Sequence, residues 1–277
     1  MPELPEVETI RRDLEREVVG KRIKAVDVST MRPIRRHSNK KQFTSRLEGH
    51  KIEGIRRKGK YLLFDLGEDL LVVHLGMSGQ LLRATGRDAK AKHTHVVITF
   101  TQGGQLRFID ARTFGEMFVT PKETFAEDCP EIAEMGFDPL EDVMSWTAFG
   151  DRVRSRKTKL KTLLMDQKVV AGIGNIYSDE ILFAAGLRHD RESDSLSTQE
   201  IRRLYRALVE TLHDAIKHRG SSLADETYRD VFGELGSYQL EHKVYAREGE
   251  ACPRCRSPIV RERWQNRSTF FCAQCQV

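Results

Sequence analysis

Long apolar runs are missing from this 277-residue chain. The strongly apolar stretches, such as residues 61–64 and 70–73, fall far short of the ~20 residues a bilayer span needs, so no membrane-spanning helix is expected. The first twenty residues also lack the apolar centre of a secretory signal and alternate acids with bases (Glu3, Glu6, Glu8, Arg11, Arg12, Asp13, Glu15), which reads as an intracellular protein. Cysteine is almost absent before residue 252: Cys129 stands alone, and the other four of the five lie beyond it, which argues against a disulfide framework. No internal repeat or low-complexity tract is found. Hydrophobic residues make up 39% of the chain, which excludes wholesale disorder, and 277 residues allow two domains at roughly 150 each.

Acidic residues are scarce in three places. Residues 32–60 hold 11 Lys and Arg against only Glu48 and Glu53, and residues 152–161 hold 6 bases and no acid. Residues 252–277 carry Arg254, Arg256, Arg261, Arg263 and Arg267 against Glu262 alone. The formal charge is only +5 because residues 116–142 run the other way, with 9 acids and one Lys. One basic run is usually a solvated face, but three of them with a cysteine cluster point to nucleic acid.

Val7, Ile10, Leu14 and Val18 recur at helical spacing, with Pro5 suited to a first turn and Gly20 to a stop, which predicts a helix over about residues 3–19. Short apolar segments follow at 23–28, 52–56, 61–66, 70–75, 96–100, 106–110 and 117–120, a spacing that predicts a β-sandwich or barrel. The periodicity turns helical after a boundary near 130–150. Helices are expected at 160–167, at 176–185 with Asn175 as N-cap and Gly186 as stop, and after a Ser197/Glu200 capping box, carrying Ile201, Leu204, Tyr205, Leu208, Leu212 and Ile216 up to Gly220. Residues 220–238 read as a long mobile loop of the kind that covers active sites.

The pattern Cys252-x2-Cys255 and Cys272-x2-Cys275 predicts a four-thiolate zinc site, closed and therefore structural, with a redox dithiol as the alternative. The insert reads as a hairpin of 259–263 and 268–271, turning at Gln265 and Asn266, with Arg267 beside its tip. The chain opens Met1-Pro2-Glu3-Leu4-Pro5-Glu6. Removal of Met1 before the small Pro2 exposes a secondary amine beside carboxylates one helical turn apart. An α-amine with a pKa near 7.7–8.0 is a usable nucleophile at neutral pH, and Glu3 could serve as general acid and base.

Together with Arg57-Lys58-Gly59-Lys60-Tyr61-Leu62, His74-Leu75-Gly76-Met77-Ser78-Gly79, Asp110-Ala111-Arg112-Thr113-Phe114-Gly115, Gly172-Ile173-Gly174-Asn175-Ile176-Tyr177-Ser178-Asp179-Glu180 and the cysteine pattern, this start resembles the formamidopyrimidine-DNA glycosylase family over the whole chain. The resemblance implies an α+β fold. Residues 1–135 would form a catalytic β-sandwich with a flanking helix, 136–150 a hinge, 151–240 a helix-two-turn-helix domain with a lesion-capping loop, and 241–277 a zinc finger. It implies Pro2 as Schiff-base nucleophile, Glu3 as proton donor and Glu6 as supporting carboxylate. Lys60, His74, Asn175 and Arg267 would bind phosphates, Met77, Arg112 and Phe114 would fill the vacated duplex, and Tyr238 would join the DNA contacts. The implied activity is excision of oxidised purines (8-oxoguanine and formamidopyrimidines) followed by β,δ-elimination, by a monomer on damaged double-stranded DNA, with one structural zinc and no organic cofactor. The implied setting is cytoplasmic, nucleoid-associated and bacterial.

The alternatives are an endonuclease VIII-like enzyme for oxidised pyrimidines, against which Leu4 and the Met77, Arg112 and Phe114 trio weigh, and a non-catalytic zinc-bearing DNA-binding module. Two departures stand out: Arg219 where the family has glycine at the opening of the capping loop, which bears on lesion preference, and Arg256 where a glycine is common in the first zinc knuckle.

Overall fold

The computed structural model describes residues 1–277 and divides into two compact units. The first comprises Met1–Glu134 with His218–Ser237, and the second Met135–Lys217 with Tyr238–Val277. Residues 218–237, which the sequence joins to the helical half, thus group with the first unit. No helix is long and apolar enough to cross a membrane.

The first unit begins with α1 (Leu4–Glu17), which buries Val7, Ile10 and Leu14 and ends before Gly20 at φ +87°. Then come β1 (Ile23–Val28), a short α2 (Lys40–Thr44), β2 (Gly54–Lys58), β3 (Tyr61–Asp65), β4 (Asp69–His74), β5 (Gly79–Ala84), β6 (Thr94–Phe100), β7 (Gln105–Asp110) and β8 (Glu116–Pro121). Two helical turns, α3 (Phe125–Asp128) and α4 (Pro130–Ala133), close the run. The strands form two antiparallel four-stranded sheets, ordered β1-β6-β7-β5 and β2-β3-β4-β8. One apolar cluster draws on α1 and on both sheets, including Val28, Ile98 and Phe108 from one and Leu62, Phe64 and Leu71 from the other. The outer face of β3, β4 and β8 is covered as well, by Cys129 and Ile132 against Leu63, Leu70, Val72 and Phe118. A strand covered on both faces needs no polar alternation, which is why β4 reads as an unbroken apolar run.

In the second unit lie α5 (Trp146–Arg154), α6 (Leu160–Met165), α7 (Asn175–Ala185), α8 (Thr198–Lys217) and a hairpin of β9 (Val260–Trp264) and β10 (Arg267–Phe271). The Ser197/Glu200 box forms as expected: the Ser197 N–H donates to Glu200 Oε2 at 2.7 Å, and the Glu200 N–H to Ser197 Oγ at 3.3 Å. The N-cap of α7 is Gly174, in an extended conformation, and Asn175 is the first helical residue, so the helix starts one position earlier than the sequence suggested. α8 stops at Lys217, just ahead of Arg219 and Gly220, which both have positive φ.

Asp179 of α7 fastens the hairpin. Its carboxylate accepts from Lys161 Nζ at 2.7 Å, Thr269 Oγ1 at 2.7 Å and the Phe270 N–H at 2.9 Å. Burial pushes its pKa up, against the pull of Lys161 and of the Thr269 and Phe270 donors. Breaking a fully buried ion pair on one side leaves the other charge stranded. Asp179→Ala is therefore expected to destabilise the helical unit by about 3–5 kcal/mol, read by denaturant unfolding, and a loss below about 1 kcal/mol would show that Lys161 finds another partner there.

Candidate active site and nucleic-acid interface

At the start of α1, Pro2 is buried and Glu3 is the N-cap residue. With Met1 in place the Pro2 nitrogen is an amide, without a nucleophilic lone pair. Glu6 lies one turn on, and its two oxygens do different work: Oε2 accepts the Glu3 N–H at 2.8 Å and Oε1 accepts the Ser221 N–H at 2.7 Å. A Cβ on Gly220, at φ +78°, would lie 2.6 Å from Glu6 Oε1, so this approach requires glycine.

Glu8, on the same helix, ties α1 to the turn carrying Lys60. Arg57 is buried, donates to Glu8 Oε2 at 3.1 Å and reaches the Gly59 carbonyl at 2.9 Å, fixing the β2–β3 turn that ends at Lys60. Burial pulls the Glu8 carboxyl up, but hydrogen bonds from Arg11 and Arg12 and the charges of Arg11 and Arg57 hold it below the usual range. Next to this turn, β4 ends at His74. The Gly76 N–H points at His74 Nδ1 at 3.3 Å, and burial, opposed by Glu116, pushes the imidazole pKa down to about 4. His74 is thus neutral at pH 7 with its proton on Nε2, which can donate to an anionic oxygen.

Met77 and Phe114 are 37% and 48% exposed, the opposite of the core placement that their apolar side chains would suggest on their own. Asp110, fully buried, stitches their loops together. Its carboxylate accepts from Ser78 Oγ at 2.6 Å, the Arg112 N–H at 3.2 Å and the Gly115 N–H at 2.8 Å. The Arg112 guanidinium lies 5.3 Å from the centre of the Phe114 ring. A Cβ at Gly76 would sit 2.5 Å from the Gly115 nitrogen, so the two loops pack backbone to backbone. The result is a braced projection of one thioether, one guanidinium and one aromatic ring. The sequence reading named those three but not the bracing pair, Ser78 and Asp110, although a lone carboxylate ending an apolar strand at 106–110 is a signal that could have found it.

In the second unit, Asn175 Nδ2 donates to the Ser268 carbonyl at 3.0 Å, while its Oδ1 is buried without a hydrogen-bond partner. Arg267 pairs with Trp264 at the mouth of the finger hairpin and is exposed, as its position beside the turn implied. Tyr238 is only 5% exposed; its ring stacks on Tyr177 at 5.8 Å, and burial raises its pKa, so its side chain is a packing element of this unit.

The four cysteine sulfurs lie within 4.8 Å of one another, with Cys252 to Cys275 at 3.9 Å and Cys255 to Cys272 at 3.4 Å. A zinc ion about 2.3 Å from each of four sulfurs sets S···S separations of about 3.8 Å, so the set fits. As bare thiols they are mismatched: Ser257 pulls Cys255 down to about 6, while burial and its three neighbours push Cys275 up to about 12. A divalent cation removes that conflict by holding all four as thiolates. Arg256 adopts φ +68°, so the first knuckle does carry the strain expected of a non-glycine there, and the four sulfurs still converge.

Three family descriptions match in order: the formamidopyrimidine-DNA glycosylase N-terminal domain over residues 1–117, the H2TH domain of the same glycosylase over 135–227, and the zinc finger found in FPG and IleRS over 249–277. Formamidopyrimidine-DNA glycosylase of Geobacillus kaustophilus is 43% identical over 276 residues, covering all of both chains, and that of Enterococcus faecalis 41% identical, covering all of this chain and 97% of the other. Among solved structures, the MutM (Fpg) protein of Thermus thermophilus superposes with a TM-score of 0.88 at 39% identity, over 99% of this chain and 98% of that one. Lactococcus lactis Fpg in complex with abasic-site DNA superposes with a TM-score of 0.90 at 34% identity, over 99% of each.

Proposed function

The chain belongs to the formamidopyrimidine-DNA glycosylase family, and from that membership we propose that it is a bifunctional base-excision repair enzyme. It removes oxidised purines, 8-oxoguanine and formamidopyrimidines, from duplex DNA and then cuts the abasic strand. The observation that carries this reading is the start of α1, where Pro2 and Glu3 lie with Glu6 holding the Glu3 N–H.

Once Met1 is removed, the Pro2 secondary amine attacks C1′ of the damaged nucleotide. The N–C1′ bond forms as the glycosidic bond breaks and the base leaves with its electron pair and a proton. The nitrogen gives up its proton to the departing base or to solvent, Glu3 donates a proton to O4′ as the sugar ring opens, and the freed nitrogen lone pair completes the C1′ iminium. Loss of a C2′ proton expels the 3′ phosphate, loss of a C4′ proton then expels the 5′ phosphate, and water releases the sugar fragment from the amine. Glu6 supports the N-terminal backbone that positions Pro2 and Glu3. Lys60 and neutral His74 of the first unit, and Asn175 and Arg267 of the second, are assigned to phosphate binding. Met77, Arg112 and Phe114 occupy the vacated space; extruding a base costs a few kcal/mol and the gap otherwise recloses. Tyr238, its ring buried against Tyr177, serves the second unit as a packing element.

We assign residues 1–135 to catalysis, 136–150 to a hinge, 151–240 to helix-two-turn-helix DNA binding and 241–277 to the finger, with residues 218–237 serving the catalytic unit as the loop that encloses the extruded base. The protein acts as a monomer in the cytoplasm on nucleoid DNA. Cys252, Cys255, Cys272 and Cys275 hold a structural zinc, which stiffens the finger and takes no part in the reaction.

Incubating the tag-free protein with duplexes bearing 8-oxoguanine, a formamidopyrimidine, an oxidised pyrimidine or no lesion tests this reading. The purine lesions are expected to yield a one-nucleotide gap with phosphate on both flanks. Faster cutting at oxidised pyrimidines would transfer the protein to the endonuclease VIII-like activity, and binding without cutting would leave a DNA-binding module.

A further inference from the structure

The loop at residues 218–237 is not the free-swinging segment its polar sequence suggested. Tyr228 and Val231 are buried in the sandwich core, the Arg83 N–H donates to the Val231 carbonyl at 2.9 Å, and Gln80 Nε2 to the Thr227 carbonyl at 2.8 Å. The two feet of the loop are also tied to each other. Tyr228 Oη donates to the Arg219 carbonyl at 2.8 Å, Ser222 Oγ to the Tyr228 carbonyl at 3.0 Å, and the Gly236 N–H to Ser222 Oγ at 3.0 Å. Between Ser222 and Tyr228 the loop rises into solvent, with Ala224, Asp225 and Glu226 exposed, and Phe232, Glu234 and Leu235 are exposed further along.

Arg219 joins the feet to α1. Its Nε donates to Asp230 Oδ2 at 2.9 Å, and its Nη2 contacts both Asp230 and Asp13 of α1, two buried carboxylates. It does so at φ +59°, a conformation in which a side chain is unfavourable and glycine is not. From that unfavourable backbone its guanidinium makes three hydrogen bonds to the two carboxylates. Two residues on, the Ser221 N–H rests on Glu6, whose other oxygen holds the Glu3 N–H, so Arg219 stands at the head of a chain of contacts running from the loop to the N-terminus.

We infer that Arg219, bridging Asp13 and Asp230, is a specificity-determining positioning residue. It pre-sets the arch at residues 223–227 and the Ser221 contact to Glu6, so that excision of a base depends on it more than cleavage at a site that has already lost its base. The inference rests on the reading proposed above, because an abasic nucleotide presents nothing for the arch to enclose. A preformed arch also spares the enzyme the ordering cost of assembling one on each encounter.

Single-turnover rates of 8-oxoguanine excision and of cleavage at a preformed abasic site, measured on the same preparations, test it. Arg219→Gly removes the guanidinium and relieves the backbone. It is expected to lower the ratio of excision to abasic cleavage about tenfold or more, a range typical of a misplaced positioning group. Arg219→Lys, a point charge that cannot reproduce the fork, is expected to recover part of the ratio, and Asp13→Asn, which leaves the loop's own Asp230 contacts in place, to fall between. Limited proteolysis should cut at residues 223–227 faster in Arg219→Gly. A ratio that stays at the wild-type value in all three variants, whatever happens to their melting temperatures, overturns the inference and makes the triad a fold-stabilising contact. Wild-type protein inactive on both substrates would instead overturn the proposed function.

Discussion

Protein that keeps Met1, or carries any tag ahead of Pro2, is expected to lose base excision and abasic-strand cleavage by on the order of 10³-fold or more, and to form no covalent adduct when borohydride is added to a reaction with lesion-bearing duplex. The magnitude follows from the nature of the nitrogen. In an amide its lone pair is delocalised into the carbonyl, whereas a free α-amine near pKa 7.7–8.0 is in part neutral at pH 7. Blocking it removes the nucleophile and leaves the surrounding residues in place. Affinity for a duplex with a stable abasic analogue should therefore change only a few-fold, which separates lost chemistry from lost folding. The geometry makes the experiment sharp: Pro2 is buried at the head of α1, and Glu6 holds the next residue's N–H at 2.8 Å, so an added residue cannot be accommodated by sliding the amine elsewhere. Equal trapping by the blocked protein, or a trapped peptide that contains Lys60 instead of Pro2, would remove the N-terminus from its role. Pro2→Gly keeps an amine and is expected to retain a slower-forming adduct.

How far these features could be read in the sequence depends on how local their causes are. The spacing of Val7, Ile10, Leu14 and Val18 announced α1, and the CxxC pairs announced the metal site, because each is written within a few residues. β5 was missed: of Gly79–Ala84 only Gly79 and Leu81 are buried, and Arg83 turns outward to Glu17, so neither alternation nor an apolar run marks it. The cap of α7 falls on Gly174 and not on Asn175, whose Nδ2 donates to the Ser268 carbonyl, 93 positions away, and whose Oδ1 caps no backbone N–H. The anchoring of residues 218–237 was hidden by distance along the chain. Its decisive contacts, Ser221 to Glu6 and Arg219 to Asp13, span 215 and 206 positions, and Tyr228 and Val231 lie in a polar stretch too short to show a period. The catalytic residues were named by resemblance and the zinc ligands by spacing. Arg57, Asp110 and Arg219 stand in the sequence as well, but the partners they brace, Glu8, Ser78 and Asp13, lie 49, 32 and 206 positions away.

Cys272→Ser is expected to lose zinc and, with it, at least about a hundredfold in affinity for lesion-bearing duplex, an effect larger than that of removing the Arg267 side chain. The finger's β9 and β10 form a single two-stranded ladder, and a lone hairpin is marginal in water without further support. Structural zinc sites contribute folding free energy outright, so the hairpin's order depends on the metal. Arg267 stands at the open end of that ladder, opposite Trp264 and after Gln265 at φ +53°, and it has a fixed direction only while the ladder holds. Arg267→Ala is accordingly expected to keep one zinc per chain and to lose about tenfold in affinity, the share of one charge-assisted phosphate contact. The two variants separate cleanly because the rest of the second unit does not rely on the metal. α7 and α8 keep a core of their own, with Ile181, Leu182, Leu204, Leu208 and Leu212 buried, whereas the Asp179 contacts to Thr269 and Phe270 and the Arg254 contacts to the Phe183 and Ala184 carbonyls, at 2.8 and 3.0 Å, are the ones that metal loss puts at risk. Helical circular dichroism should therefore be unchanged in Cys272→Ser, while a chromogenic zinc assay reads zero and fluorescence anisotropy reports the weakened binding. Retained affinity in the metal-free variant would mean that the contacts through Asp179 and Arg254 alone order the hairpin, and Arg267→Ala would then be the more damaging of the two.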